Sequence, residues 1–343
     1  MSAPAFARGP APLPPILLAL LAALAASVLL TVGLGPAPVG LADSWSILLH
    51  QLGAPVAPAW QPGQDLIVWQ LRLPRVLLGG LVGAGLALVG AVLQAATRNK
   101  LADPHLLGVS SGATLGAVSV LLFTGNLAGS LTLPLAAFAG ALLSTALVMA
   151  VALRQRRLQA ERLLLAGVAV SFFMMALANL LIYLGDHRST SSVLFWMLGG
   201  LGQARWELLP VPALALGSGL LALAALGRPL NALMAGEQTA VTLGIQVSRL
   251  RLAVFAVSSL MTGVMVAVSG AIGFVGLMIP HIARRFVGAD HRRLLPVCAL
   301  SGAIFLIWVD AAARTLIAPE DIPVGVGTAA IGGAFFIWLM RAR

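Results

Sequence analysis

Residues 75–96 read RVLLGGLVGAGLALVGAVLQAA, and after Arg75 no charged side chain appears until Arg98. A helix of this length reaches about 33 Å, enough to cross a hydrocarbon core of about 30 Å. The stretch has no polar face to offer water. Inside lipid the backbone must satisfy its own polar groups, which leaves helices or closed barrels. A barrel requires alternating ten-residue segments, and none is present. The stretch is therefore a transmembrane helix, and Gly79 and Gly83, four apart, mark a face where another helix can approach closely.

The remainder of the chain follows the same pattern. Of its 343 residues 59% are apolar and 9% charged, with a mean hydropathy of +0.99, outside the range of a water-soluble domain. Apolar runs between charge clusters give ten candidate spans: 15–34, 75–96, 106–123, 131–153, 163–184, 207–226, 252–270, 271–283, 294–316 and 323–340. The first is longer than a signal-peptide core and is read as a retained helix. The eighth is short, and its glycines and Pro280 predict a broken or half-crossing helix covered by protein. Gly108, Gly112 and Gly116 repeat the four-residue spacing on the third span. Gly90-Ala91 recurs as Gly270-Ala271, and Pro104-His105 as Pro280-His281, which is the trace an inverted repeat would leave. The whole chain, 1–343, is read as one all-α membrane domain of about ten helices.

There are 21 basic and 11 acidic residues, and the basic ones form no nucleic-acid-binding domain. With the N-terminus inside, Arg8, Arg98, Lys100, Arg154, Arg156, Arg157, Arg162, Arg228, Arg249, Arg251, Arg284, Arg285, Arg292, Arg293, Arg341 and Arg343 face the cytoplasm. Arg72, Arg75, Arg188, Arg205 and Arg314 face the other side. The positive-inside rule then predicts that both termini are cytoplasmic.

Chemistry-bearing motifs are few. The only lysine, Lys100, follows Asn99, so no phosphate-binding P-loop is encoded. The five histidines lack ligand spacing, Cys298 is alone in an apolar run, and no metal site or catalytic set is expected. Asp310 is the one acid placed well inside a span, and such a residue needs a partner. Arg314, four residues on, offers an intramembrane ion pair with it. The other reading of Asp310 is a proton relay, which would make the chain a proton-coupled secondary transporter. Between Arg228 and Arg251, the spacing of Leu230, Leu233, Met234, Val241, Leu243 and Ile245 predicts helix outside the membrane, either resting on lipid or docking a protein.

The sequence resembles the permease family of type II ATP-binding-cassette (ABC) importers that take up iron-siderophore complexes, haem and cobalamin. The resemblance runs from about Arg72 to the C-terminus. It rests on RLPR at 72–75, NKLADPHLLGVSSGA at 99–113, LLLAG at 163–167, WMLGGLGQARW at 196–206, SGAIGFVGLMIPHIAR at 269–284, GADHRRLLP at 288–296 and DIPVGVGTAAIGGAFFIWL at 321–339. It departs at Lys100, where such permeases usually carry proline.

The resemblance implies the type II importer permease fold and no enzymatic activity in this chain. Arg72, Arg75 and Arg314 would dock glutamates of a periplasmic substrate-binding protein. Coupling helices at 230–245, with Leu233, Ala235, Gly236, Glu237, Leu243 and Gly244, would contact a separate ATPase. A short periplasmic helix at 193–201, with the fifth and tenth spans, would line the path. ATP and Mg would sit on an ATPase dimer, and a second permease copy would complete a homodimer in the bacterial inner membrane. The cargo would be an iron-siderophore complex, haem or cobalamin, in that order.

Overall fold

The computed structural model describes residues 12–124, 129–153, 159–186 and 190–341. Arg8, Arg154, Arg156, Arg157, Arg188 and Arg343 of the charge map lie outside the described residues. The architecture is all-helical. Helix α1 (Leu13–Gly33) is followed by the shorter α2 (Leu41–Gln51). Then α3 (Gln64–Leu66) runs through a π-helical stretch (Ile67–Arg72) into α4 (Leu73–Ala96). Next come α5 (Val109–Ser119, extended by a π-helical Val120–Thr124), α6 (Thr132–Ala152), α7 (Ala160–Leu184), α8 (Thr190–Met197) and α9 (Pro210–Ala225). The chain ends with α10 (Gly227–Ala235), α11 (Glu237–Thr242), α12 (Val247–Ser269), α13 (Val275–Val287), α14 (His291–Ala313) and α15 (Val324–Arg341).

All ten expected spans have a helix. Eight are long and apolar enough to cross a bilayer, while α5 and α13 are shorter. The second span begins earlier than charge placement suggested, because helix continues through Arg72 and Arg75 back to Gln64.

Helix α4 is the centre. Over the most apolar 18 residues of its span 83% are buried, against 17% over the corresponding stretches of α1 and α15, which lie at the periphery. It packs against α14, α12, α13 and α9. Lipid tails are as apolar as leucine, so helices in a bilayer associate through close packing. A Cβ placed on Gly83 would lie 2.2 Å from the Gly302 carbonyl oxygen, and one on Gly90 would lie 1.9 Å from that of Gly276. The backbones of α4, α14 and α13 therefore touch directly. Gly112 and Gly116 of α5 do the same to Gly140 and Ala136 of α6.

The break expected around the eighth span lies at 270–274, between α12 and α13, so residues 271–274 are not helical and α13 starts at Val275. Gly270 takes φ +65°, and a Cβ there would lie 2.2 Å from the Trp196 carbonyl oxygen, so only glycine fits. Phe274, also at positive φ, packs against Gly332 of α15. Freed backbone groups at membrane depth must find partners. Ser269 O accepts from Gly200 N at 2.8 Å, and Ile272 O accepts from His105 Nε2 at 2.9 Å. Gln94 Nε2 donates to Gly276 O at 3.0 Å. The two segments that echo each other in sequence, around 90–105 and 270–281, thus meet in space.

The short helix expected at 193–201 runs instead over Thr190–Met197. It stops there because Gly199, at φ +73°, turns the chain against the Ala271 carbonyl.

Gly90→Ala should lower stability by about 1–3 kcal/mol through overpacking. Gly217→Ala, in the interior of α9 where the added methyl meets open space, should leave it unchanged or raise it by up to about 1 kcal/mol. Thermal unfolding in detergent reads both, and equal melting temperatures for the two variants would contradict the packing account.

Candidate functional site

Two clusters occupy opposite ends of α4, with cavities between them. At the end where α4 begins, the Arg75 guanidinium spans two carboxylates: Nε donates to Asp310 Oδ1 at 2.9 Å, and Nη1 to Asp321 Oδ2 at 2.6 Å. Asp310 is buried at 1% exposure, and Arg314 Nε lies 3.4 Å from its second oxygen. The ion pair of Asp310 with Arg314 is thus present, but the hydrogen-bonded partner is Arg75, which is 235 residues away in sequence. Asp310 also sits nearer the membrane surface than the span 294–316 implied, because α14 ends at Ala313, less than one turn beyond it.

Arg72 and Arg314 have a different local task. The last carbonyls of a helix lack intrahelical donors and carry partial negative charge. Arg314 Nη2 donates to Thr31 O at 2.9 Å, and Arg72 Nη1 donates to Val32 O and Gly33 O at 3.4 and 3.2 Å. Arg72 Nη2 also reaches Ala37 O. The two buried arginines together cap the C-terminus of α1. Of the arginines expected on this side, Arg205 is exposed and has no ion pair among the described residues. Its neighbour Trp206 donates Nε1–H to Trp69 O at 2.9 Å and packs its ring 5.0 Å from that of Trp69.

Arg75 and Asp321 line a mouth cavity of about 340 Å³, together with Ser191 and Trp196 of α8, Gln203, and Gly270 of the α12–α13 break. Asp310 is not in its lining. Deeper lie two further cavities, of about 720 and 370 Å³. The larger is walled by Phe274 and by Gly325, Val326 and Ala329 of α15, and the smaller by Ser171, Phe172 and Met175 of α7 with Ser110 and Thr114 of α5. His105, Met197 and Ala271 belong to both. The walls are mainly apolar.

At the far end of α4, α10 and α11 form the element predicted at 230–245, broken at Gly236 with φ +140°. Leu233 is fully buried and faces the helical body, while Ala235, Glu237, Leu243 and Gly244 are exposed and Gly236 is half-buried. Leu243 is 66% and Val241 60% exposed, an apolar pair with no cover in this chain. Arg251 Nη2 donates to Glu237 Oε2 at 2.9 Å while its Nε donates to Ala96 O, the last carbonyl of α4, at 3.2 Å. Asn231 Nδ2 donates to Asp290 Oδ1 at 2.6 Å, and Asn231 Oδ1 accepts from His291 N at 3.0 Å. One segment thus grips α4 and α12 through Arg251, and the start of α14 through Asn231. Sequence pattern located the segment but not these grips, whose partners are distant in the chain.

The family model of the FecCD transport family matches residues 22–342. The cobalamin import system permease protein BtuC of Halobacterium salinarum is 41% identical over 301 residues, covering 87% of this chain and 80% of that protein. The vitamin B12 import system permease protein BtuC of Salmonella paratyphi A is 46% identical over 284 residues, covering 80% and 84%. A chain of a solved structure, described as an inward-facing conformation of a metal-chelate type ABC transporter, has a TM-score of 0.81 at 32% identity, covering 96% of this chain and 99% of that one.

Removing one partner of a buried ion cluster leaves an uncompensated charge, at a cost of about 3–5 kcal/mol. Asp310→Ala should therefore destabilise the chain strongly. Asp321→Ala, whose carboxylate is 42% exposed, should cost less than about 1 kcal/mol. Thermal unfolding of both variants in detergent tests this, and a small effect at Asp310 would contradict the cluster's structural role.

Proposed function

Because this chain belongs to the FecCD transport family and is the permease subunit of an ABC importer, we propose that it passes a bulky metal chelate of the cobalamin class through the membrane. Its relatives are transporter subunits rather than enzymes, and its several apolar spans make it a multi-pass membrane protein. Support for the cargo comes from the named relatives, two of which import cobalamin. This reverses the order expected from the family at large. An iron chelate is the second reading, supported by the likeness to a metal-chelate type transporter.

The end bearing Arg98, Arg228, Arg249, Arg251, Arg284, Arg285, Arg292 and Arg293 is assigned to the cytoplasm of a bacterial inner membrane, with both termini inside. There an ATPase dimer, carrying ATP and Mg, would receive the α10–α11 segment. The observation that carries this assignment is the exposed pair Val241 and Leu243 beside Gly244, on a segment otherwise fastened to the helical body. At the other end a substrate-binding protein would set acidic residues against the arginine mouth. Arg75 is the reachable member there, with Arg72 and Arg314 holding α1 behind it. A second permease copy would close the cavities walled by α7, α8 and α15.

In this mechanism the ATPase subunits approach one another on binding ATP and shift α10–α11. The Arg251 and Asn231 grips carry that shift to α4, α12 and α14. The walls of the cavities, which belong to α5, α7, α15 and the α12–α13 break, then open to alternate sides. No bond is made or broken by this chain.

Each buried leucine or valine contributes about 1.5–3 kcal/mol to a contact. Val241→Asp with Leu243→Asp should therefore reduce co-purification of the ATPase, and uptake of labelled cyanocobalamin by cells lacking another route, at least tenfold. Full ATPase retention would remove the coupling assignment. Uptake of a ferric siderophore with none of cyanocobalamin would replace the cargo reading with the second.

A further inference from the structure

Arg75 makes two carboxylate contacts of different character. Asp310 is 1% exposed and tied between two guanidiniums of the helical body. Asp321 is 42% exposed, stands on the connection between α14 and α15, and lines the mouth cavity. It bonds the outer nitrogen, Nη1, which faces Gly202 in the same cavity wall. A guanidinium presents its donors in a fixed fork that any carboxylate can fill. The outer prong of Arg75 is thus already filled, by an acid with water on one side of it.

We propose that Asp321 is a built-in surrogate for a carboxylate of an acidic protein partner, occupying the outer prong of Arg75 until that partner displaces it. Docking then proceeds by exchange of one carboxylate for another on the same guanidinium. Exchange makes the gain in contact energy small, so Asp321 sets how loosely the partner is held. It also keeps the Nη1 donor of Arg75 paired at the mouth when no partner is present, while Nε stays with Asp310. The same step releases the Asp321 side chain, while the backbone stays held by Ile322 N donating to Ala313 O at 3.0 Å and its continuation into α15 packs tightly. A Cβ on Gly325 would lie 2.1 Å from Leu198 O and 2.9 Å from Ala271 O. The proposal rests on the reading above that an acidic substrate-binding protein meets this mouth.

The test uses the permease–ATPase complex in nanodiscs and, as probe, the purified substrate-binding protein that delivers its cargo. Its affinity is measured for the wild type, Asp321→Asn, Arg75→Gln and the double variant. Asp321→Asn should tighten binding about fivefold on the wild-type background and leave it unchanged on the Arg75→Gln background, which itself binds more weakly. Modification of Arg75 by phenylglyoxal, read by mass spectrometry without any partner, should speed up severalfold in Asp321→Asn. Equal tightening on both backgrounds would mean long-range repulsion of an acidic partner and overturn the exchange. So would unchanged affinity in Asp321→Asn alongside a loss in Arg75→Gln, or an unchanged modification rate. If neither Arg75→Gln nor Asp321→Asn alters affinity, the docking reading itself falls, and the surrogate with it.

Discussion

The structure depends on direct backbone contact between α4 and its neighbours at Gly83–Gly302 and Gly90–Gly276. In a bilayer no hydrophobic force gathers helices, so close packing has to supply what exclusion from water supplies elsewhere. Glycine at these positions lets α4 be enclosed on nearly all sides. That enclosure turns one helix into an axis with Arg75 at its first turn and the Arg251-capped Ala96 carbonyl at its last. Both candidate interaction surfaces hang from the ends of this axis.

Arginine solves the complementary problem at helix ends. Terminal carbonyls near the edge of the hydrocarbon lack donors, and a long cationic side chain can reach back to several at once. Arg72 and Arg314 serve α1, and Arg251 serves α4. Arg284 donates to the Gln94 side chain and to Ala91 O, fastening α13 to α4. Only where such a residue retains a donor toward an exposed partner, as Arg75 does through Asp321 and Arg251 through Glu237, can it also respond to another protein. This division separates the arginines that hold the fold from those available to function.

Much of this was legible in the sequence, for reasons that can be named. Long uncharged runs such as 75–96 fix helices because lipid permits little else, and the glycines announced a break near the eighth span, although Pro280 itself lies inside the unbroken α13. Charge asymmetry and the amphipathic spacing at 230–245 located the two ends. What escaped was whatever depends on distant segments meeting. Asp310 suggested Arg314 because four residues on a helix share a face, but Arg75 arrives from α4 with better geometry. Leu233 shared the apolar spacing of Leu243, yet the turn at Gly236 sends one inward and leaves the other outside. The helical run from Gln64 to Arg72 was hidden because its charged and polar residues read as loop.

The central claim is that this chain is a moving part powered by a separate subunit. It is tested most directly by cargo accumulation in proteoliposomes under two energy sources, ATP with the ATPase and binding protein present, or an imposed proton gradient with the permease alone. The account predicts accumulation in the first case, indifferent to a protonophore, and none in the second. Uphill accumulation by the permease alone, driven by the gradient and lost in Asp310→Asn, would contradict it and favour a proton-coupled carrier.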